Sequence, residues 1–579
     1  MKKLLYKVAG LMLIALPLAM TSCSDDYMEE INTDNTKTPE INPNAQLTTA
    51  LLQTYGDFGM MDAYRCYVTG FTQYFAGGWN VSNYAGAVHA DNDMMRPIWD
   101  ELYSVSIKNL VDAIDKTADK PNLNAILRIH KVYLMSVITD TYGDVPYFEA
   151  GHAAVTATPK YDAQKDIYYD FFEELDKCIK QFDASKDLVT GDVSVFNGDV
   201  KSWMVYANSL RLRYAMRVSE VDKAKGQEEF EKAVNSGIGF IDSNAKNAYI
   251  RYIDGPFTLY DGARALDFRV NALGEMLYGQ DSDSPTFVCA TFFNMMKNTN
   301  DPRLYRICRH YLNPKRSAVK ADDDWNVDVT DEVVAYENSP EGDLGEGKSY
   351  ACNIGAAWWH NWVSAPSNDK IPTLEKLVQT YPEVGFDQSN YNARMMRPFL
   401  SIKFEKAECP GILMTAAEVS FLMAEAKVKG WDVDGTAEDY YKKGIREAME
   451  MMNSYYNIPL ITEQEITDYI AAQTLGTGEK AIENINTQAW IHHMMNPAEG
   501  WANLRRSGYP VLEDRYKYDR WPNDFTYDDE NLTTPVRLKY PNLEAKYNKA
   551  NYEAAIEKLG GTDDWHHRVW WDIAEDHVK

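Results

Sequence analysis

The chain has 579 residues and a formal net charge of −27; it is 45% hydrophobic and 12% aromatic, with 38 Tyr and 14 Trp. That length and apolar share suffice for several ordinary domains, or for one large elaborated domain with a sizeable core. The charge repels nucleic acid and anionic head groups, so neither is an expected partner.

Lys2, Lys3 and Lys7 precede an apolar run from Val8 to Met20, which is followed by Thr21 and Ser22. A charged start, a short apolar stretch and a small-residue exit form a secretory signal over residues 1–22. The run falls short of the roughly 20 apolar residues of a comfortable transmembrane helix. No other run approaches a membrane span, so attachment is expected through a lipid alone. Met20-Thr21-Ser22-Cys23 reads as a lipobox, with Cys23 carrying the lipid. The alternative is an ordinary signal followed by a free cysteine. The signal holds three lysines and no acids, so the chain beyond it carries −30. Cys66, Cys178, Cys289, Cys308, Cys352 and Cys409 are scattered and form no CxxC. Export allows disulfides without requiring them at this size, and mostly buried free thiols are expected. Residues 23–44 are polar, with Pro39 and Pro43, and read as the lipid-bearing end and its tether.

Helical spacing dominates residues 45–240. From Asp93 to Lys116, Ile98, Trp99, Leu102, Leu110, Val111 and Ile114 recur at three and four, with Asp93 as cap and Pro97 in the first turn. From Asn122 to Asp140, Leu123, Ile126, Leu127, Leu134, Val137 and Ile138 form one stripe, and Ile129, Val132 and Tyr133 a second. A helix apolar on two sides packs on two sides, as in stacked helix pairs. Gly143 and Pro146 then make a structural turn. Further helices are expected near 162–182, 200–219 and 224–235.

Residues 241–410 change character. Gly255-Pro256, Asp281-Ser282-Asp283-Ser284-Pro285 and Asp301-Pro302 are turn chemistry. The region reads as a loop-rich insertion with short strands, and a run of that length should carry function or a subdomain. Helix returns over 411–579. Thr415 and Glu418 make a capping box, Ala416, Val419, Leu422, Met423 and Ala426 line one face, and Gly430 ends the helix. Helices near 436–453, 462–473 and 478–495 follow, and the tail from 509 reads as irregular structure packed on the body.

Four stretches together resemble the SusD/RagB family of Bacteroidetes surface lipoproteins: Thr139 to Tyr147, Trp203 to Ser219, Ala416 to Ala426, and Glu499-Gly500-Trp501-Ala502-Asn503-Leu504-Arg505-Arg506. The match runs from the lipobox past residue 508, in the branch associated with starch binding. The acidic run Ser24 to Glu30 is similar to the surface-export signal of such lipoproteins. The resemblance implies a mainly α fold of tetratricopeptide-like helix pairs with a loop-rich ligand-binding insertion. It further implies an outer-membrane, cell-surface location and a SusC-like TonB-dependent barrel as partner. It implies binding without catalysis, of glycans in most members and of peptides in some.

The richest stacking candidate is Trp358-Trp359-His360-Asn361-Trp362. A sugar ring offers an apolar C–H face to an aromatic ring, and His360 and Asn361 supply hydrogen bonds. The bland alternative is a small satellite core under the loops. A second cluster follows Gly77-Gly78, where Trp79 and Tyr84 are candidates for the same ligand surface while Tyr74 and Phe75 read as core. Gly342-Asp343-Leu344-Gly345-Glu346-Gly347-Lys348-Ser349 fits the phosphate-loop pattern, but lacks a preceding strand and carries its own carboxylates. No cofactor is expected. A structural Ca²⁺ is conceivable at Asp322-Asp323-Asp324 or Asp281/Asp283, while Asp432, Asp434 and Gly435 echo a calcium loop that lacks its bidentate Glu. The adjacent pairs His492-His493 and His566-His567 point apart. Three rivals stay open: the same scaffold binding peptides, a secreted glycoside hydrolase, and a lipoprotein that only stabilises the barrel. No carboxylate pair can be assigned to the hydrolase, because the required separation is spatial.

Overall fold

Helix follows helix where the apolar residues recur at three and four. The computed structural model describes residues 41–76, 79–152, 155–254, 268–278, 286–312, 326–340, 342–343, 350–351, 354, 397–513 and 533–573. The frame is built from α1 (Pro43–Gly56), α2 (Pro121–Tyr142), α3 (Gln164–Gln181), α4 (Val200–Val218), α5 (Lys223–Val234), α6 (Ala416–Val428), α7 (Ala437–Tyr455), α8 (Glu463–Ala472), α9 (Glu479–His492) and α10 (Pro497–Ser507). They pack as pairs: α1 on Lys108–Asp115, α2 on α3, α4 on α5, α6 on α7, and α9 on α10. α3 also touches α4, α4 touches α6, and α6 touches α9, so the pairs stack sideways. Pro43–Lys579 folds as one compact unit. Among the described residues, no helix is long and apolar enough to cross a membrane.

α2 is buried along both of its stripes, with Leu123, Ile126, Leu127, Leu134 and Ile138 on one and Ile129, Val132 and Tyr133 on the other, while Val137 is half-buried. Pro121 opens it, and Lys120 gives no side-chain cap. The cap comes from a distant loop, where the Asp187 carboxylate accepts from the Asn122 and Leu123 N–H groups, each at 2.9 Å. Asp187→Ala should therefore lower stability by about 1 kcal/mol, as loss of an N-cap does, and the denaturant midpoint measures it.

Three local readings change. The helix expected to be capped by Asp93 starts two residues early: Asp91 is extended and accepts from the Asp93 and Met94 N–H groups, whereas Asp93 already lies in the first turn. It is also broken. Pro97 has no N–H to continue the ladder, so the chain restarts as Pro97–Glu101, widens into a π-type stretch at Leu102–Ile107, and resumes at Lys108–Asp115. At Thr415 only half of the capping box forms. Its hydroxyl accepts from the Glu418 N–H at 3.2 Å, but the Glu418 carboxylate turns to Arg213. The full box sits at Thr462 and Glu465. The tail, finally, is not wholly irregular; Asn542–Tyr547 and Lys549–Lys558 are helices separated at Asn548.

The middle of the chain contributes short strands. β1 (Phe75–Ala76), β3 (Phe287–Val288), β7 (Phe399–Leu400) and β4 (Cys308–Arg309) form an antiparallel sheet in that order. β2 (Ala248–Ile250) pairs with β8 (Gly411–Met414), and β5 (Tyr311–Leu312) with β6 (Val327–Asp328). Helices Ala272–Tyr278, Ala290–Asn298 and Thr330–Glu337 lie between them. The β2–β8 ladder brings residue 250 beside residue 411, so the chain leaves and rejoins the scaffold at one place.

A buried ion network ties the helix pairs together. α4 is apolar between Leu210 and Val218 except for Arg211, Arg213 and Arg217, all buried. Buried charges must be paired, and these are. Arg213 donates to both Glu418 oxygens at 2.6 and 2.7 Å and to the Leu413 carbonyl at 2.6 Å. Arg217 donates to Glu499 at 2.6 Å and lies 3.4 Å from Asp140. Arg211 reaches Glu229 at 3.0 Å. Arg506 grips Glu425 with two bonds of 2.7 Å. The Trp571 indole donates to Asp140 at 2.7 Å, and Arg505 lies 3.9 Å over the Trp501 ring. Cys66, Cys178, Cys289, Cys308 and Cys409 are buried free thiols, and burial pushes Cys178 and Cys409 up to about 12.

Candidate functional site

Among the described residues, the segment after β1 carries the sequence candidates. Trp79 opens the helical turn Trp79–Val81, which runs into a π-type turn at Ser82–Gly86. Tyr84 on that turn is half-buried. Its ring stacks on His89 (centroids 6.0 Å apart, 19° between planes) and leans on Tyr67 at 5.5 Å. Tyr67 is fixed in turn, donating to the His89 carbonyl at 2.9 Å and accepting from the Asp91 N–H at 3.0 Å. Tyr67 touches Phe71, and Phe71 touches Trp501 of α10, so Tyr84 stands on an aromatic chain rooted in the scaffold. Burial raises the Tyr84 hydroxyl to about 12, which keeps it a neutral donor and acceptor at physiological pH.

Ile354 lies fully buried against this segment. A Cβ on Gly86 would stand 2.5 Å from the Ile354 carbonyl oxygen, and one on Gly70 3.0 Å from Ile354 Cδ1. Only glycine admits that approach. Farther along the chain, Phe399 of β7 pairs with Phe287, which pairs with Ala76. That row puts Phe399 about 10 Å from Ala76, two strand spacings away. The chain thus enters residues 355–396 beside Gly86 and leaves them within reach of the strand that leads to Trp79.

Trp358, Trp359, His360, Asn361 and Trp362 lie outside the described residues, as do Cys23, Cys352, Asp281, Asp283 and Asp322 to Asp324. The phosphate-loop pattern is described only at Gly342 and Asp343. A helix, Thr330–Glu337, precedes it instead of a strand, and the Tyr336 carbonyl occupies the place of a Gly342 side chain. Among the described residues, no group of three or more His, Cys, Asp or Glu is arranged to hold a metal. Among the described residues, the cavities lined by Thr54 to Ala498 and by Arg303 to Asn496 hold about 20 Å³ each, too small for a sugar ring.

Glu337 has the pKa of a general acid but not the access. Burial pushes its carboxyl up to about 7 against the pull of Lys297, whose Nζ is 3.7 Å away. His310 Nε2 stands at 3.9 Å and the Tyr305 hydroxyl at 3.4 Å. The Glu337 side chain is 1% exposed, so no substrate meets it. Its folded pKa lies above the unfolded value, so its ionisation costs stability as pH rises from about 4.5 through 7. Glu337→Gln should accordingly raise the melting temperature at about pH 8 and leave it nearly unchanged at about pH 5.

Sequence reasoning missed the Gly70, Gly86 and Ile354 contact, because three small or apolar residues scattered over 284 positions carry no periodic signal. It also left the arginines of α4 unpaired, although arginines within an otherwise apolar helical run were a legible sign of buried partners.

Two family models match the chain. One, described as starch-binding associating with outer membrane, covers residues 34–326; the other, described as SusD and RagB outer membrane lipoprotein, covers residues 383–572. Among solved structures, a Bacteroidetes AC2a SusD-like protein superposes with a TM-score of 0.81 at 36% identity, over 92% of this chain and 100% of that one. A chitin-binding protein gives 0.72 at 28% identity, over 92% and 100%. A chitin-binding SusD homolog from Flavobacterium johnsoniae gives 0.66 at 21% identity, over 93% and 100%, a likeness of fold. No curated protein matches.

Proposed function

The chain belongs to the SusD/RagB family of outer-membrane lipoproteins, and from that membership we propose that it captures glycans at the cell surface and passes them to a SusC-like TonB-dependent barrel. It is a binding protein of the outer membrane, not an enzyme. In this reading Cys23 carries the lipid, and residues 24–42 tether the body near the transporter, which raises the effective concentration of ligand there. The ligand surface combines Trp79 and Tyr84 with Trp358, Trp359 and Trp362 as stacking groups, and His360 and Asn361 as hydrogen-bonding groups.

One observation carries this assignment: Ile354 is anchored against Gly70 and Gly86. Trp358 is four residues from Ile354, so the two Cα atoms are at most about 14 Å apart. Gly86, against Ile354, closes the same turn that carries Tyr84, so the tryptophans that follow Ile354 start out beside that turn. A glycan-binding relative at 28% identity over 92% of the chain supports the ligand class. A shallow aromatic surface suits a sugar chain, whereas a peptide needs a more enclosed cleft.

Affinity electrophoresis of the lipid-free chain from Ser24 through gels holding different polysaccharides tests the class. Retardation by at least one glycan is expected. Free migration in every gel, together with binding to a peptide mixture, would promote the peptide reading, and release of reducing sugar would revive the hydrolase. Co-purification of the lipidated protein with a barrel of the outer membrane tests the partner.

A further inference from the structure

A cavity of about 20 Å³ lies where α7 and α9 meet the turn into α10. One water needs about 10–15 Å³, so the cavity has room for a single water-sized or slightly larger group. Its polar lining is Arg303, Tyr456, His492, His493 and Asn496; methionine, isoleucine and alanine make up the rest, and no carboxylate side chain lines it.

Three of these side chains hold a buried polar atom without a hydrogen-bond partner: Arg303 Nη1, the Tyr456 hydroxyl and Asn496 Nδ2. Each of the three residues is at most 3% exposed. The rest of their bonding is committed elsewhere. Arg303 forms a bidentate ion pair with Asp301, from Nε at 2.9 Å and from Nη2 at 2.5 Å, and also donates from Nη2 to Gln488 at 2.6 Å. Asn496 caps α10, its Oδ1 accepting from the Glu499 N–H at 3.5 Å, and its own N–H donates to the His493 carbonyl at 2.7 Å. Burial lowers the pKa of both His492 and His493, so they stand neutral.

We propose that this cavity binds one monatomic anion of chloride size, held by Arg303 Nη1, Asn496 Nδ2 and the Tyr456 hydroxyl. Orphaned donors at this depth are costly, and three in one cavity point to a common acceptor. A water accepts two hydrogen bonds, fewer than the three donors offered here. An anion takes all three donors, and the methionine wall is polarisable. The anion fixes the turn between α9 and α10, and so the helix that carries Glu499, Arg505 and Arg506 into the buried ion network.

The lipid-free chain is unfolded thermally in sodium gluconate, chloride and bromide at equal ionic strength, and crystallised from bromide. A halide-specific rise of about 2 °C is expected at a hundredfold excess over Kd, with a bromine anomalous peak in the cavity. Asn496→Asp keeps the oxygen that caps α10 but replaces the donor with a carboxylate, and Tyr456→Phe removes the hydroxyl. Both variants should fold and lose the halide shift. An undiminished shift in both variants, or a wild-type cavity whose density has no anomalous signal and whose stability ignores halide, would overturn the proposal and leave a water site.

Discussion

Arg213→Ala is expected to destabilise the protein by about 3–5 kcal/mol, the usual consequence of leaving one half of a buried ion pair behind. Arg213 lies on α4, Glu418 on α6, and the third contact is the Leu413 carbonyl of β8. Losing the guanidinium strands the Glu418 carboxylate in a site that is 4% exposed, and frees a strand carbonyl beside it. Glu499 loses one of the two arginines that hold its carboxyl down against burial. Replacing both partners with apolar residues of similar size, Arg213→Met with Glu418→Leu, should cost much less than the sum of the single changes. A melting temperature for Arg213→Ala equal to the wild type would refute this account of the scaffold. The neighbouring pair has a pH signature. Burial raises the Glu425 carboxyl, Arg506 outweighs it, and the pKa falls to about 2 from its ordinary 4.5. Its contribution is present above about pH 4.5 and is lost as pH falls toward 2.

The second large effect concerns ligand. Trp358→Ala and Trp79→Ala should each weaken glycan binding by about 2 kcal/mol, roughly thirtyfold, as truncation of a central aromatic anchor does. The stacked ring supplies apolar area at little entropic cost, and nothing in an alanine replaces it. Tyr84→Phe should cost less, because the ring and its stacking on His89 survive and only the hydroxyl is lost. Unchanged unfolding midpoints in these variants separate lost ligand contact from lost packing.

Much of the scaffold was legible because helix burial is periodic. The two stripes of α2, the Gly143 stop and the Gly430 stop all follow from local chemistry. The four stretches that resemble the family turn out to be neighbours in space. Asp140, Arg213, Arg217, Glu418, Glu425, Glu499 and Arg506 from those stretches meet in the buried ion network. What failed was local geometry with several near-equal solutions. Asp91 and Asp93 are both good caps; Asp91 is the extended one, and its N–H donates to the distant Tyr67 hydroxyl, a partner no local pattern announces. Glu418 had a plausible partner one turn away, but a buried arginine from α4 won it. At the candidate site, aromatic content pointed to Trp79, Tyr84 and the tryptophans at 358–362. The sequence held no sign that Ile354 would seat against Gly70 and Gly86, since that contact depends on two glycines with no special spacing.

The most direct measurement is a calorimetric titration of the lipid-free chain from Ser24 with oligosaccharides, run beside Trp358→Ala and Trp79→Ala. A saturable glycan heat is expected in the wild type, strongly reduced in both variants at unchanged stability. Heat with peptides alone, or a glycan affinity that neither substitution alters, would contradict it.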